Sequence, residues 1–182
     1  MTASYDSVMT LALLADGVPM DKLYPLDIDR AFAKLDELRP HLVWWEAGAQ
    51  PPQMLAAGDV IMSTAYNGRI DAAQKEGRAL NISWDGGIYD FDYWVIPEGT
   101  PNLEQAIEYV KFVTAPEQQA NYTRNIAYGP VSKKAIEMVE PDLLAKVPNS
   151  PENAKNALFN DLDFWTDNGE ELEQRFTAWA AR

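Results

Sequence analysis

Along this chain, stretches with apolar residues three or four apart alternate with short continuous apolar runs, and the two patterns predict different elements. Met9, Leu11, Leu13 and Leu14, followed by Asp16 and Gly17, predict a helix from about Tyr5 that closes on a glycine. Ile28, Phe32, Leu35 and Leu38 keep helical spacing after Asp27 or Asp29, either of which can cap, and Pro40 stops that helix. The run "HLVWW" predicts a buried strand at 41–45, and "GAQPPQMLAAGD" a loop entering a short helix that ends at Gly58. Further strands are predicted at "VIMSTAY" (60–66), "ALNISW" (79–84) and within "DGGIYDFDYWVIPEGTPN" (85–102). A helix capped by Asn67 separates the first two of these. Two helices broken at Ala115-Pro116 follow, then short proline-punctuated helices, and an amphipathic helix from about Asp167 with Leu172, Phe176 and Trp179 on its apolar face.

Strands alternating with helices predict an α/β domain whose mixed or parallel sheet is flanked by helices. Composition agrees: 182 residues, 47% apolar and 24% charged, can bury a real core and do not describe a disordered tail. The net charge of −13 opposes non-specific binding to nucleic acid or an anionic membrane and favours a cationic ligand, although solubility alone accounts for such acidity. With no cysteine, disulfides, thiolate metal sites and cysteine nucleophiles are excluded. No apolar run approaches the ~20 residues that span a bilayer, so membrane insertion is not expected. Residues 1–20 lack a basic start, and Asp6 precedes their apolar stretch, so no signal peptide is predicted.

The candidate chemistry is that of binding. His41 is the single histidine, it begins a predicted strand, and no G-x-S-x-G, P-loop, H-E-x-x-H, EF-hand or G-x-G-x-x-G pattern is present. No metal or cofactor is expected. Asp90 and Asp92 are two apart in a predicted strand, hence on one face, among Tyr89, Phe91, Tyr93 and Trp94. Such a pair can be a general acid and base, a hard-cation site, a receptor for ammonium, or two acids that merely solvate a strand end. The flanking rings favour ammonium over metal, because aromatic faces and carboxylates both hold it. Trp44 and Trp45 end one predicted strand, with Gly48-Ala49-Gln50 leading into a helix, and Tyr66 ends another before Asn67-Gly68. In α/β sheets the carboxyl ends of strands and the adjoining helix starts line ligand crevices.

Read in order, "LALLADGVPMDKLYPLDIDRAFAKLDELRPHLVWWEAGAQPPQMLAAGDVIMSTAYNGRI", "YDFDYWVIPEGTPNLEQAIEYVKFVTAPEQQANYTRNIAYGPVSKKA" and "DFWTDNGEELEQRFTAWA" resemble the second-lobe and C-terminal part of the spermidine/putrescine-type solute-binding proteins of ABC importers. The resemblance runs through nearly the whole chain from about Leu11. It implies a type II periplasmic-binding-protein lobe, with a small cationic, polyamine-like solute held between lobes and passed to an ABC permease in the periplasm. It assigns Tyr66 and Tyr128 as rings on the ligand, Asp92 as the carboxylate for an amine, and Trp165 or Thr166 as a further cleft residue; Asp90, Gln50 and Trp45 join them as ligand-binding candidates from the local pattern. Asp90 stands where polyamine binders often carry tryptophan, which leaves the exact ligand open. It also implies that 1–91 form a second-lobe core, that 92–135 cross to a first lobe, and that 136–182 return. Such proteins are roughly twice this length, so the resemblance implies a missing first lobe, and the orphaned crossing segment predicts homodimer formation. Alternatives are an isolated lobe acting as a non-catalytic interaction module, and a small hydrolase using Asp90 and Asp92.

Overall fold

A computed structural model describes residues 5–182, and these divide into two compact units. One comprises the residues through Tyr66 together with Leu158–Arg182; the other is Asn67–Ala157.

The first unit is built on three helices: α1 (Tyr5–Ala15), α2 (Ile28–Leu38) and α9 (Leu162–Ala180). The apolar spacing seen in the sequence becomes their shared core of Val8, Met9, Ala12 and Leu13 from α1, Ala31 and Leu35 from α2, and Leu172, Phe176 and Trp179 from α9, closed by Leu23 and Leu26. Thr10 is buried among them because its hydroxyl donates to the Asp6 carbonyl at 2.9 Å, leaving no unpaid donor. Past α1 the backbone turns left-handed at Gly17 (φ +82°), and the Val18 N–H reaches back to the Leu13 carbonyl at 3.0 Å. That is the glycine termination the sequence predicts. Of the two candidate caps for α2, Asp27 serves, accepting from the Arg30 N–H at 3.1 Å. Helix α9 starts earlier than its apolar face suggests, at an Asp161 cap that accepts from the Phe164 N–H at 3.0 Å. Gly169 lies inside this helix. A Cβ there would stand 3.2 Å from the Tyr5 hydroxyl, so the glycine admits a neighbouring side chain. The short helix α3 (Gln50–Ala57) completes the unit's helices and ends at Gly58 in the left-handed region.

The second unit contains α4 (Asn67–Lys75), α5 (Leu103–Thr114), α6 (Pro116–Asn125) and the single-turn helices α7 (Lys133–Ile136) and α8 (Pro141–Leu144). The predicted break between α5 and α6 is present: Ala115 takes β geometry (φ −61°, ψ 142°) because the following proline ring disfavours the helical region. Asn67 is the first residue of α4 rather than its cap. Its amide instead donates to the Ala127 carbonyl and, at 3.2 Å, to that of Lys146. One turn on, the buried Asp71 carboxylate meets Lys75 at 2.8 Å and Lys146 at 3.2 Å. Burial alone would raise its pKa; the hydrogen bonds and charges of the two lysines outweigh that and hold it below the usual carboxylate value.

The strands differ from expectation. Among the described residues the assigned strands are β1 (Ile88–Tyr89) and β2 (Leu158–Phe159). Predicted strand 41–45 begins in a 3-10 turn over Arg39–His41 and retains a single bridge residue at Trp45. Residues 60–66, 79–84 and 90–96 carry no ladder. A strand is defined by its partner's hydrogen bonds, and an apolar run that lacks one cannot form it however strong its β propensity. Several large apolar side chains on these runs are exposed, Ile61 and Met62 among them, with Val95 at 80%, while Val60, Leu80, Ile82 and Ile96 are half-buried. Helix α5 buries no residue, and Leu103, Ile107, Tyr109 and Phe112 all face solvent.

Candidate functional site

The seven candidate residues fall into two sets: Trp45, Gln50, Tyr66 and Trp165 in the first unit, Asp90, Asp92 and Tyr128 in the second.

Trp165 is tied into the first unit. Its indole N–H is shared between Asn160 Oδ1 at 2.7 Å and the Tyr24 hydroxyl at 3.0 Å, and its ring meets the edges of Tyr5 and Phe164. Trp45 is 4% exposed and donates from Nε1 to the Thr64 hydroxyl at 3.2 Å. Tyr66 stands against it with ring centroids 5.9 Å apart at 72°, yet remains 55% exposed. Gln50 turns its side-chain carbonyl back onto the loop before α3, where the Glu46 and Ala47 N–H groups each donate to it at 2.8 Å. Tyr66 is therefore the member of this set that offers a surface.

In the second unit, Asp90 and Asp92 follow β1 in an irregular segment, so strand periodicity does not place them on one face. Asp90 Oδ1 accepts from the Phe91 N–H at 2.7 Å, so part of its hydrogen-bonding capacity is spent on its own backbone. Asp92 is exposed and has neither hydrogen bond nor ion pair among the described residues. Tyr128 is half-buried; its carbonyl accepts from the Thr123 hydroxyl at 2.8 Å, and its ring lies over α4, where a Cβ on Gly68 would meet Cε1 at 2.8 Å. Next to it, Gly129 is packed against Asn149, whose amide donates to the Pro130 carbonyl at 2.8 Å.

Arg69 has no part in the site expected from the sequence, and Gly48 and Gly68 stand there only as residues leading into helices. Arg69 lies in the first turn of α4, exposed, with no ion pair among the described residues. It immediately follows "YNG", and its charge was the available signal. Gly48 and Gly68 each lie under a tyrosine ring, a role that composition cannot reveal. No group of three or more His, Asp or Glu among the described residues could hold a metal ion. Two shallow depressions, about 290 Å³ beside Trp84 and Asn153 and about 390 Å³ beside Tyr24 and Phe159, include none of the seven candidates. No helix among the described residues is long and apolar enough to cross a membrane.

Comparison with known proteins gives the context for this arrangement. The family described as bacterial extracellular solute-binding protein matches residues 1–168. A γ-aminobutyric acid-binding protein of Pseudomonas aeruginosa is 51% identical over 96% of this chain, which spans 51% of that protein's length. A spermidine/putrescine-binding periplasmic protein of Haemophilus influenzae is 26% identical over 66% of the chain and 34% of its own. A solved structure described as the Atu4243-GABA receptor superposes with a TM-score of 0.83 at 32% identity, over 94% of this chain and 53% of that one. The chain thus spans about half the length of the Pseudomonas relative and of the solved receptor.

Proposed function

The chain belongs to the bacterial extracellular solute-binding protein family and has its periplasmic-binding-protein-like α/β fold, and from that premise we propose that it takes part in capturing a small amino acid of the γ-aminobutyrate kind. Support comes chiefly from the 51% identity, over nearly the whole chain, to a protein named for that ligand. The role is binding in the periplasm and delivery to an ABC permease, not catalysis.

γ-Aminobutyrate is a zwitterion, so its receptor needs a group of each sign. The Asp92 carboxylate, unpaired among the described residues, takes the ammonium. Arg69 supplies a planar, bidentate partner for the carboxylate, in a helix first turn whose dipole favours an anion. Within the same unit the Tyr128 ring covers the methylenes between, and in the first unit the exposed Tyr66 ring is a separate candidate surface for such a chain. Asp90 tunes the charge near Asp92, while Trp45, Gln50 and Trp165 hold the structure of the first unit. A polyamine offers nothing to Arg69 and would be repelled by it, and this favours the amino acid. Calorimetric titration decides between them. γ-Aminobutyrate should give saturable heat and spermidine none, with Asp92→Asn and Arg69→Met each weakening binding about 10- to 100-fold. Saturable spermidine binding that ignores Arg69→Met would replace the amino acid by a polyamine.

Self-association belongs to the same proposal. Phe91, Tyr93, Trp94 and Val95, with Tyr109 and Phe112 of α5, expose apolar surface within 92–135 and at its border. The Trp94 and Tyr109 rings already meet edge to face at 5.4 Å. These residues are read as the lobe-crossing segment, with 1–91 and 136–182 as the second-lobe parts. Surface of this kind invites a second copy. Light scattering at micromolar concentration should show a dimer or larger species, and Tyr109→Glu with Phe112→Glu should return it to monomer. A wild-type chain that is monomeric throughout removes this part.

A further inference from the structure

Tyr66 combines two properties that ordinarily exclude each other: its ring is more than half exposed, yet it is packed on two sides. On one side is Trp45, itself fixed by burial and by its bond to Thr64. On the other is Gly48, where a Cβ would stand 2.8 Å from Tyr66 Cδ2 and 3.0 Å from Cε2. Gly48 does not have the positive φ that would call for glycine on backbone grounds. What requires glycine here is the space beneath the ring.

The loop that carries Gly48 is held in turn by Gln50. Its side-chain carbonyl gathers the Glu46 and Ala47 N–H groups, and the Gln50 N–H closes on the Ala47 carbonyl at 2.9 Å. A side chain at a helix start ordinarily serves the helix's own unpaired N–H groups. Here the next two residues are Pro51 and Pro52, which have no N–H to serve, and the Ala49 cap makes no side-chain bond. The prolines release Gln50 to bind the loop instead.

We infer that Gly48 and Gln50 are positioning residues: together they seat the Tyr66 ring in one pose with an open face, so that a ligand meets a preformed platform rather than a mobile side chain. This assignment rests on the reading of Tyr66 as a ligand-covering ring. Preformation matters because ordering a rotamer-rich side chain on binding costs affinity. Gln50 thereby moves from candidate ligand contact to support.

The test follows the ring directly. In the wild-type chain, NMR should show cross-relaxation from the Tyr66 ring protons to Gly48 Hα and to the Trp45 indole. Gly48→Ala should abolish the first and shift the Tyr66 ring resonances. Gln50→Met should broaden them, and Gln50→Glu, which keeps the two-N–H acceptor, should restore the wild-type pattern. γ-Aminobutyrate affinity should fall about 3- to 10-fold in Gly48→Ala and Gln50→Met, but Gly48→Ala should add nothing in a Tyr66→Ala background. An unchanged Tyr66 ring spectrum in Gly48→Ala overturns the inference, as does an equal loss of affinity in both Tyr66 backgrounds. If the wild-type chain binds no γ-aminobutyrate while the ring contacts behave as described, the ligand reading fails and the seat stands.

Discussion

Replacing Gly129 with alanine should destabilise the Asn67–Ala157 unit by about 2–4 kcal/mol in urea denaturation. A Cβ at that position would overlap Asn149 Oδ1 and lie 2.5 Å from Cγ and 3.0 Å from Nδ2. The side chain has little freedom to yield. Its Nδ2 is committed to the Pro130 carbonyl at 2.8 Å, and its Oδ1 is already buried without a hydrogen-bond partner. Retreat would cost the one bond it makes. The companion variant Asn149→Ala should lose about 1 kcal/mol on its own, for that bond. Combined with Gly129→Ala, it should recover most of the larger loss, since the clash then has no second party. Strict additivity of the two variants would show that Gly129 is required for another reason.

Trp179→Ala should cost about 3–5 kcal/mol in the other unit. The indole is where α9 is held: it meets Trp44, Phe32 and Phe176 with ring centroids between 5.6 and 6.2 Å. Its N–H donates to Asp36 at 2.7 Å, and the Arg39 guanidinium lies 4.9 Å from its ring centroid. Trp179→Phe keeps an aromatic body and forfeits the hydrogen bond, and so should cost less, about 1–2 kcal/mol. Thermal unfolding followed by near-ultraviolet circular dichroism reads both, because that spectrum is dominated by packed tryptophan. Equal midpoints for the two variants would mean that the ring's bulk contributes nothing.

These two residues also mark how far the sequence could be read. Trp179 was legible: with Leu172 and Phe176 it falls on one helical face, and helical periodicity is a local property. So was the break at Ala115-Pro116, because proline acts on its immediate neighbour. Gly129 was not, since its requirement comes from a side chain 20 positions away that no local pattern announces. The strands fail for the same reason on a larger scale. Residues 60–66 have the composition of a strand, but pairing depends on what lies alongside. Asp90 and Asp92 lost their common face when the ladder did not extend to them. Gln50 does stand at a helix start after an aromatic run, while the supporting role proposed for it depends on a turn geometry that two prolines make available. Charge is legible in a sequence, and the role proposed for Arg69 needs nothing more than its charge, three positions after Tyr66.

The division of the chain has a consequence in time. The first unit is discontinuous, and Trp179 leaves the ribosome 143 residues after the Asp36 it bonds. At ordinary synthesis rates that is an interval on the order of ten seconds. Throughout it, the faces of α1 and α2 that α9 will cover remain uncovered, while Asn67–Ala157 emerges as one uninterrupted stretch. The inserted unit can therefore finish folding before the unit that brackets it, and the half-made bracket is the species on which chaperones and proteases would act.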